Sequence, residues 1–570
     1  MVIVARDGSG DYTSLQEAID RIPDGSGAPT LILIRRGVYQ ERVVIHRNHV
    51  RLVGESAEDT VLTACAAATD RDRNGLEKGT FRTATLMITG NDVEIDHLTI
   101  RNDAGDGRAV GQAVAVYAAG DRGVFRGCRL IAHQDTLFCG PLRIPNGTED
   151  TGARCGNAEA YYRIEDGHET HSRQYFEDCY IEGDVDFIFG CYRSWFEGCT
   201  LHMGPRGGWY TAANTSAAQP YGFVFHRCEL TGSCAPGQAF LGRPWRGSAA
   251  TVFLDCGMDE HVAPEGFTDW DAGRRVTARC GEWHTRGARA DQSTRHPAQK
   301  RLTEEDALVI TLPAVLGGWD GWRPDRPVPT WFLCGDSTMA NYGPEAAPMT
   351  GWGQRLQPQL PDAGYVQNEA VCGRSSKSFV EEGRLRDIAS CLRAGDRLVI
   401  SFSHNDEKED PARHTTPEQT FPEYLNRFID TALERGAQPI LATPIARRVF
   451  DQNGHPVPTH GIYPETMREL AKRRNIPLID LERATMALLE EEGEEKSKRL
   501  FCHVAQGHLH YPEGLADNSH LHERGAARIA KQFVEGLTGK NYGEVKNALT
   551  EKPEQDLEKL IAREDLVMSR

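Results

Sequence analysis

The chain has 570 residues, of which 39% are hydrophobic, 8% aromatic and 26% charged. This length exceeds one ordinary hydrophobic core and predicts two domains. The formal net charge of -17 argues against nucleic acid and anionic membrane surfaces as partners, and the sequence has no apolar run long enough for a membrane span.

The amino terminus and the cysteines bear on the compartment. Residues 1–10 contain no basic segment followed by an apolar one, so they do not resemble a secretion signal. We therefore expect a cytoplasmic protein, or a secreted one if a leader has been removed. The 15 cysteines predict no disulfide framework, because the number is odd in so long a chain. The sequence does not predict the oligomeric state.

Short β-branched and aromatic runs, such as residues 93–100 and 221–225, predict many strands in the first half of the chain. Residues 11–19 predict instead a short helix that caps an open end of the stack. A phrase of Phe, two residues and Cys recurs at Phe125/Cys128, Phe176/Cys179, Phe196/Cys199, Phe225/Cys228 and Phe253/Cys256. Repeats at intervals of about 20 to 50 residues predict a solenoid, here a parallel β-helix with the cysteines packed inside.

From about residue 330 the pattern changes to alternating strands and helices. Buried-type strands are predicted at 328–334, 397–402 and 438–443, and helices at 418–435 and 463–474. Such alternation predicts an α/β domain with a mainly parallel sheet. The Pro-rich residues 323–327 mark the boundary, so the expected domains are 1–325 and 326–540, followed by a charged tail at 541–570 to which no chemistry is assigned.

Several motifs of the first domain resemble pectin methylesterases, which are carbohydrate esterases built on a right-handed parallel β-helix. They are Gly37-Val38-Tyr39-x-Glu41, Gly111-Gln112-Ala113-Val114, Gln134-Asp135-Thr136-Leu137, Gly183-Asp184-Val185-Asp186-Phe187-Ile188-Phe189-Gly190, Leu241-Gly242-Arg243-Pro244-Trp245 and Leu316-Gly317-Gly318-Trp319-Asp320.

The resemblance implies ester hydrolysis by two carboxylates. Asp186 would attack the methyl-ester carbonyl of a galacturonate unit, and Asp135 would protonate the departing methanol and then activate water. Arg243 would keep Asp186 ionised, since a nearby cation favours the charged form, and would contribute to substrate binding. The two aspartates need environments that separate their pKa values.

The same resemblance assigns supporting residues. The amides of Gln112 and Gln134 would stabilise the oxyanion, and Trp245 would offer a flat face to a sugar ring. Residues 139–173 depart from shorter members of the family and predict a long loop beside the cleft. A rival interpretation is a pectate lyase on the same fold, but the motifs do not supply that class with its calcium ligands and basic residue.

Four blocks of the second domain resemble SGNH hydrolases, and among them rhamnogalacturonan acetylesterases, with a flavodoxin-like three-layer fold. The blocks are Gly335-Asp336-Ser337-Thr338, Asn368-Glu369-Ala370-Val371-Cys372-Gly373, Ser403-His404-Asn405-Asp406 and Asp517-Asn518-Ser519-His520. Ser403 stands where the family often has Gly.

By this resemblance Ser337 is a nucleophile, His520 its general base, and Asp517 the residue that orients the imidazole. The spacing of three residues predicts that Asp517 and His520 meet across one turn. The backbone N–H groups of Ser337 and Gly373, with the side chain of Asn405, would form an oxyanion hole. Lipases and thioesterases share these blocks, so a non-acetyl ester remains an alternative for this domain.

The sequence thus predicts a bifunctional pectin deesterase, a carboxylic ester hydrolase that acts on methylated and acetylated pectic oligo- or polysaccharide. Neither mechanism requires a metal or an organic cofactor, and none is predicted. The alternative is that only one half is catalytic and the other is a pectin-binding module. The sequence leaves open the chain length of the substrate, its backbone type, the acetyl position and the order of the reactions.

Overall fold

The computed structural model describes residues 1–23, 29–72, 74–141, 164–165, 168–169, 172–360 and 364–538. The chain divides into two compact units, Met1–Pro327 and a second that begins at Val328. Most of the loop expected at residues 139–173 and the tail expected at 541–570 lie outside the described residues. Within the described parts, no helix is both long and apolar enough to cross a membrane.

Three parallel sheets make up the first unit, as far as it is described. The first sheet has the spatial order Val2–Val4, Thr30–Ile34, Val50–Gly54, Val93–Asp96, Gly123–Arg126, Arg173–Glu177, Arg193–Glu197, Phe223–His226, Thr251–Leu254, Cys280–Trp283 and Lys300–Arg301. The second contains Gly37–Gln40, Thr60–Ala64, Thr99–Asn102, Arg129–Ile131, Tyr180–Gly183, Thr200–Met203, Glu229–Gly232 and Gly257–Met258. The third contains Val43–Ile45, Leu86–Ile88, Val116–Ala118, Leu137–Cys139, Ile188–Gly190 and Thr211–Ala213. The middle coils of the chain add one strand to each of the three sheets and the terminal coils contribute to fewer, which confirms the parallel β-helix.

The repeated Phe and Cys residues mark one corner of this helix. Each Phe lies in the eleven-stranded sheet and each Cys lies just before the next strand of the eight-stranded sheet. The five phenylalanine rings stack in one column with centroids 4.5 to 4.8 Å apart. All five cysteines are buried, and each thiol donates to a backbone carbonyl, as Cys128 Sγ does to Ile95 O at 3.2 Å. The prediction of interior packing is confirmed.

Two local predictions needed correction. Residues 93–100 form two strands rather than one, because the chain turns at His97, whose φ is 53°. The capping helix spans Leu15–Asp20 and begins four residues later than expected, because Ser14 is its N-cap and accepts a hydrogen bond from Glu17 N at 3.3 Å. The apolar face of this helix is buried in the core of the first unit.

The remaining elements of the first unit are short. They are the helices Thr80–Arg82, Gly107–Val110, Glu304–Val309 and Leu312–Leu316, the parallel pair Gly208–Trp209 and Ala239–Phe240, and the antiparallel pair Ile164–Glu165 and His168–Glu169. Arg173 fixes the end of the unit, because its guanidinium donates to both oxygens of Asp320 at 2.6 and 2.8 Å.

The second unit is a five-stranded parallel sheet with helices on both faces. The strands have the spatial order Tyr365–Asn368, Thr330–Gly335, Arg397–Ser401, Gln438–Ala442 and Leu478–Ile479. Its helices are Pro344–Ala346, Trp352–Arg355, Gln357–Gln359, Ser376–Glu381, Arg384–Cys391, Thr420–Glu434, Tyr463–Arg474, Leu481–Ser497, Lys498–Leu500 and Glu523–Thr538. An antiparallel pair, Phe501–Val504 and Leu515–Leu521, precedes the last helix. The order 2-1-3-4-5 confirms the flavodoxin-like fold class.

Candidate active sites

Asp135 and Asp186 occupy equivalent positions on neighbouring coils of the first unit. Each lies two residues before a strand of the six-stranded sheet, and in those strands Leu137 stands opposite Ile188. Neighbouring strands lie about 4.8 Å apart, so the stack places the two aspartates one above the other at about this spacing. Both aspartates have a left-handed backbone, with φ of 67° and 52°, a conformation that Asp tolerates better than most residues.

Arg243 reaches Asp186 from two coils away. The backbone N–H of Arg243 donates to Thr211 O at 3.0 Å, and the strand Thr211–Ala213 pairs in turn with Ile188–Gly190. The guanidinium then donates to both oxygens of Asp186, from Nε at 2.9 Å and from Nη2 at 2.7 Å. The predicted pairing of Arg243 with Asp186 is therefore present in the structure.

Two indole rings hold this guanidinium in place. Arg243 Cζ lies 3.8 Å from the ring centroid of Trp209 and 4.0 Å from that of Trp270. Trp209 belongs to the intervening coil and, like the two aspartates, lies two residues before its strand. Its Nε1 donates to Thr268 Oγ1 at 2.8 Å. Sequence reasoning missed both tryptophans; the position of Trp209 before its strand could have revealed it, whereas Trp270 carries no such signal.

The two carboxylates differ in their electrostatic environment. Burial raises the pKa of Asp135 well above its usual range, and the charge of Asp186 raises it further. Among the described residues, none donates a hydrogen bond to the Asp135 carboxylate. Burial also raises the pKa of Asp186, but the hydrogen bonds and charge of Arg243 oppose that rise. The expectation that Arg243 keeps Asp186 ionised did not include burial, and the pKa of Asp186 is raised overall.

The other predicted residues of this site lie around the aspartates. Ala113 N donates to Gln134 O at 3.1 Å, so Gln112 and Gln134 stand on adjoining coils. The side chain of Gln134 packs against Gly107. A Cβ added to Gly107 would lie 2.6 Å from the Cβ of Gln134. Trp245 is half-buried, with its ring edge-on against Phe189 at 5.9 Å.

The second unit assembles a Ser-His-Asp arrangement. His520 Nε2 lies 2.9 Å from Ser337 Oγ, and His520 Nδ1 lies 2.7 Å from Asp517 Oδ2. Asp517 and His520 belong to a strand rather than to a helical turn. Asp517 Oδ1 accepts from the backbone N–H groups of Ser519 at 2.7 Å and His520 at 2.9 Å, and this Asx-type turn brings the two side chains together.

The carboxylate of this triad stays ionised. Burial raises the pKa of Asp517, but the hydrogen bonds from His520 and Ser519 outweigh burial and bring the pKa to about 2. A charged Asp517 can orient the imidazole and stabilise its cation.

The predicted oxyanion groups follow three adjacent strands of the sheet. Ser337 comes after Thr330–Gly335, Gly373 after Tyr365–Asn368 and Asn405 after Arg397–Ser401. The carboxyl ends of these strands surround the point where the strand order reverses, which is where doubly wound sheets bind ligands. Gly373 has a φ of 77°. Asn405 Nδ2 donates to the carbonyl oxygen of Arg374, the residue after Gly373, at 3.1 Å.

Two further residues support this site and were not predicted. The Tyr342 hydroxyl donates to the carbonyl oxygen of Ser337 at 2.8 Å and accepts from Cys372 Sγ at 3.5 Å, so it links the loop of Ser337 to the loop of Gly373. Asp406 accepts from Ser376 N at 3.2 Å. Burial raises the pKa of Asp406 to about 7.

One surface groove lies apart from both candidate sites. A groove of about 600 Å³ lies on the outer face of the eleven-stranded sheet, lined by residues that include Glu177, Glu197, His226 and Trp283. None of the predicted site residues lines it. No group of three or more His, Cys, Asp and Glu side chains in the described ranges is arranged to hold a metal ion.

Comparison with known sequences separates the two halves. The sequence model of the pectinesterase family matches residues 1–144 and 159–317, and that of the GDSL-like lipase/acylhydrolase family matches residues 333–528. These matches confirm the resemblance of each half to its family.

Relatives and solved structures match one half at a time. Rhamnogalacturonan acetylesterase RhgT of Bacillus subtilis is 46% identical over 207 residues, which are 36% of this chain and 88% of that protein. Pectinesterase 31 of Arabidopsis thaliana is 32% identical over 314 residues, which are 54% of this chain and 89% of that protein. The structure of pectin methylesterase PemA from Erwinia chrysanthemi is similar at 29% identity over 57% of this chain and 98% of that one, with a TM-score of 0.46.

Proposed function

Since the chain belongs to the pectinesterase family through its first domain and continues into a GDSL-like acylhydrolase domain, it is a carboxylic ester hydrolase, and we propose that it removes both methyl and acetyl esters from pectic carbohydrate. The observation that supports this proposal is that each domain brings together residue types that can cleave an ester. One set is built from two carboxylates and the other from a serine, a histidine and an aspartate.

In the first domain, an Asp186 oxygen attacks the carbonyl carbon of a galacturonate methyl ester. The bond to the methoxy oxygen breaks, and Asp135 supplies the proton that turns the leaving group into methanol. The raised pKa of Asp135 supports its role as the acid, and the ion pair with Arg243 supports Asp186 as the nucleophile. Water then attacks the acyl-enzyme anhydride, Asp135 takes a proton from it, and Asp186 is released.

In this proposal, two amide side chains, an indole ring and the guanidinium of Arg243 contact the substrate. The side-chain N–H groups of Gln112 and Gln134 donate to the oxyanion that forms on the attacked carbonyl. Each such donor typically lowers the barrier by about 2.7 to 4 kcal/mol. Trp245 stacks on a neighbouring sugar ring. Arg243 contributes to substrate binding and also keeps Asp186 ionised.

In the second domain, Ser337 Oγ attacks the carbonyl carbon of an acetyl ester while His520 takes the hydroxyl proton. His520 returns that proton to the sugar oxygen as the acyl–oxygen bond breaks, and then activates water to release acetate. Asp517 orients His520. The N–H groups of Ser337 and Gly373 and the amide of Asn405 stabilise the oxyanion. The similarity of this domain to a rhamnogalacturonan acetylesterase supports acetate as the acyl group.

The test is release of methanol and acetate from a methylated and acetylated pectin digest by the wild type, Asp186→Asn and Ser337→Ala. Each variant is the control for the other. We expect Asp186→Asn to lose methanol release and keep acetate release, and Ser337→Ala to do the reverse, each by about 10⁶-fold, as for loss of a nucleophile.

The other outcomes are informative. Acetate release that survives Ser337→Ala would remove the second assignment. Release of longer acyl groups in preference to acetate would leave the nucleophile but change the substrate class. A domain that binds the digest without turnover, unaffected by its own substitution, would be a binding module instead.

A further inference from the structure

Asn405 lies in a tight turn, residues 403–407, that is held at both ends. Ser403 has a φ of 154°. Residues other than glycine rarely adopt this backbone conformation, which costs about 1 to 3 kcal/mol. Glu407 N donates to Ser403 O at 3.1 Å, and Ser403 Oγ donates to Glu407 Oε1 at 2.6 Å. The side chain of Glu407 therefore holds the strained residue at the start of the turn.

Glu407 is itself held by two basic side chains. One of its oxygens accepts from Arg447 Nη1 at 3.0 Å, and the other lies within hydrogen-bond distance of His460 Nδ1. Burial raises the pKa of Glu407, but the hydrogen bond with His460, the charge of His460 and contacts with Ser403 and Arg447 together lower it below its usual range. Glu407 thus carries its charge inside the domain, between two partners.

His460 is buried, and both of its ring nitrogens face acceptors. Its side chain has 0% exposure. Nδ1 faces the Glu407 carboxylate, and Nε2 lies 2.9 Å from the carbonyl oxygen of Ile445. A carboxylate and a carbonyl oxygen can only accept, so the imidazole donates on both sides. The ring of His404, the neighbour of Asn405 in the chain, stands edge-on to His460 with centroids 4.4 Å apart.

From this geometry we infer that His460 is a positioning residue of the second site, which acts through Glu407 on the oxyanion amide of Asn405. The double donation ties the loop of Ile445 to the turn 403–407 and keeps that turn in its strained form. The amide is then aimed before the substrate arrives, which is the condition for stabilising a charge that exists only in the transition state. This inference rests on the proposed function of the second domain.

The test is a double-mutant cycle on the full chain with His460→Gln and Asn405→Ala. The measured quantities are kcat and KM for hydrolysis of 4-nitrophenyl acetate. Asn405→Ala should lower kcat by about 10²- to 10³-fold, as for loss of one oxyanion donor. His460→Gln should lower kcat about tenfold with little change in KM, because the amide matters in the transition state more than in the bound ester.

The combined variant decides between positioning and general support. If His460 acts through Asn405, adding His460→Gln to Asn405→Ala lowers kcat no further. Losses that multiply would overturn the inference, as would a full kcat for His460→Gln. The matched control is His455→Gln, an exposed histidine of the same domain paired with Glu490, and it should leave kcat unchanged.

A second variant replaces His460→Gln if that substitution prevents folding. If His460→Gln unfolds the domain, as shown by its near-ultraviolet circular dichroism, then Glu407→Gln takes its place in the cycle, with the same non-additivity expected. Failure of the proposed function looks different. In that case the wild type does not hydrolyse the acetyl ester, or Asn405→Ala retains full kcat.

Discussion

The two sites are built in opposite ways. In the first unit, the candidate side chains come from equivalent positions on successive coils, so the stack itself sets their separation. In the second, they come from loops after separate strands, and Ser337 and His520 are 183 residues apart in the chain. The stacked site buries two carboxyl groups close together, and burial raises the pKa of both. In the loop-built site, Ser337, His520 and Asp517 pair with one another, and hydrogen bonds lower the pKa of Asp517. Burial of Asp135 therefore costs folding stability in the first site, whereas Asp517 keeps its charge through its partners in the second.

After loss of either nucleophile, the largest effect should come from breaking the pairing of Asp517 with His520 in the second site. Asp517→Asn keeps the size of the side chain but removes the charge that orients His520. We expect kcat for acetate release to fall by about 10⁴-fold, as for loss of the orienting carboxylate in a triad of this kind. Methanol release from the same digest should stay at the wild-type rate.

The control for this variant is Asp430→Asn, which removes an exposed aspartate paired with Arg474 in the same domain. It should leave both products unchanged. If Asp517→Asn released acetate at a wild-type rate, the triad would not be the catalytic unit, however good its geometry.

A smaller effect should come from loosening Arg243 in the stacked site. Trp270→Leu removes one of the two rings that lie against the guanidinium. A desolvated cation–π contact is worth about 2 kcal/mol, so kcat for methanol release should fall by about tenfold to thirtyfold. The same substitution at Trp319, which is 93% exposed, is the control. Equal rates for the two variants would mean that Asp186 and Trp209 are sufficient to fix Arg243.

The smallest effect concerns stability. Asp135 ionises in the unfolded chain near the usual pKa of about 3.9, but the folded chain holds the proton to higher pH. Between those two pKa values the folded state binds more protons than the unfolded state, so stability falls as pH rises through that window. Asp135→Asn should therefore raise the Tm of the first domain at pH 8 while it abolishes methanol release.

The size and pH dependence of that gain check the cause. Each pKa unit corresponds to about 1.4 kcal/mol, and 1 kcal/mol shifts the Tm of a large domain by about 2 to 4 °C. Thermal unfolding of wild type and variant at pH 8 and pH 4 should show a gain that shrinks at the lower pH. A gain of equal size at both pH values would point to packing rather than to the charge of Asp135.

Much of the fold followed from local patterns. The Phe and Cys phrase predicted coils with an inward-facing corner, because both residue types favour burial at one fixed place in each turn of chain. The helix Tyr463–Arg474 and three of the five strands of the second sheet lie where their patterns predicted them. Two predictions failed where local backbone conformation decided the outcome. His97 turns the chain between two strands, and Asp517 and His520 meet through an Asx-type turn within a strand. Residue type alone does not specify either conformation.

By itself the sequence determined the two families and the fold of each unit, and it named the candidate reacting groups, because these depend on residue type and order. Tertiary structure decided what surrounds those groups. It brought Trp209 and Trp270 against Arg243, buried Asp135 without a donor among the described residues, and placed His460 behind the turn of Asn405. Such contacts join residues distant in the chain, and burial and charge act through space, so only the folded molecule decides them.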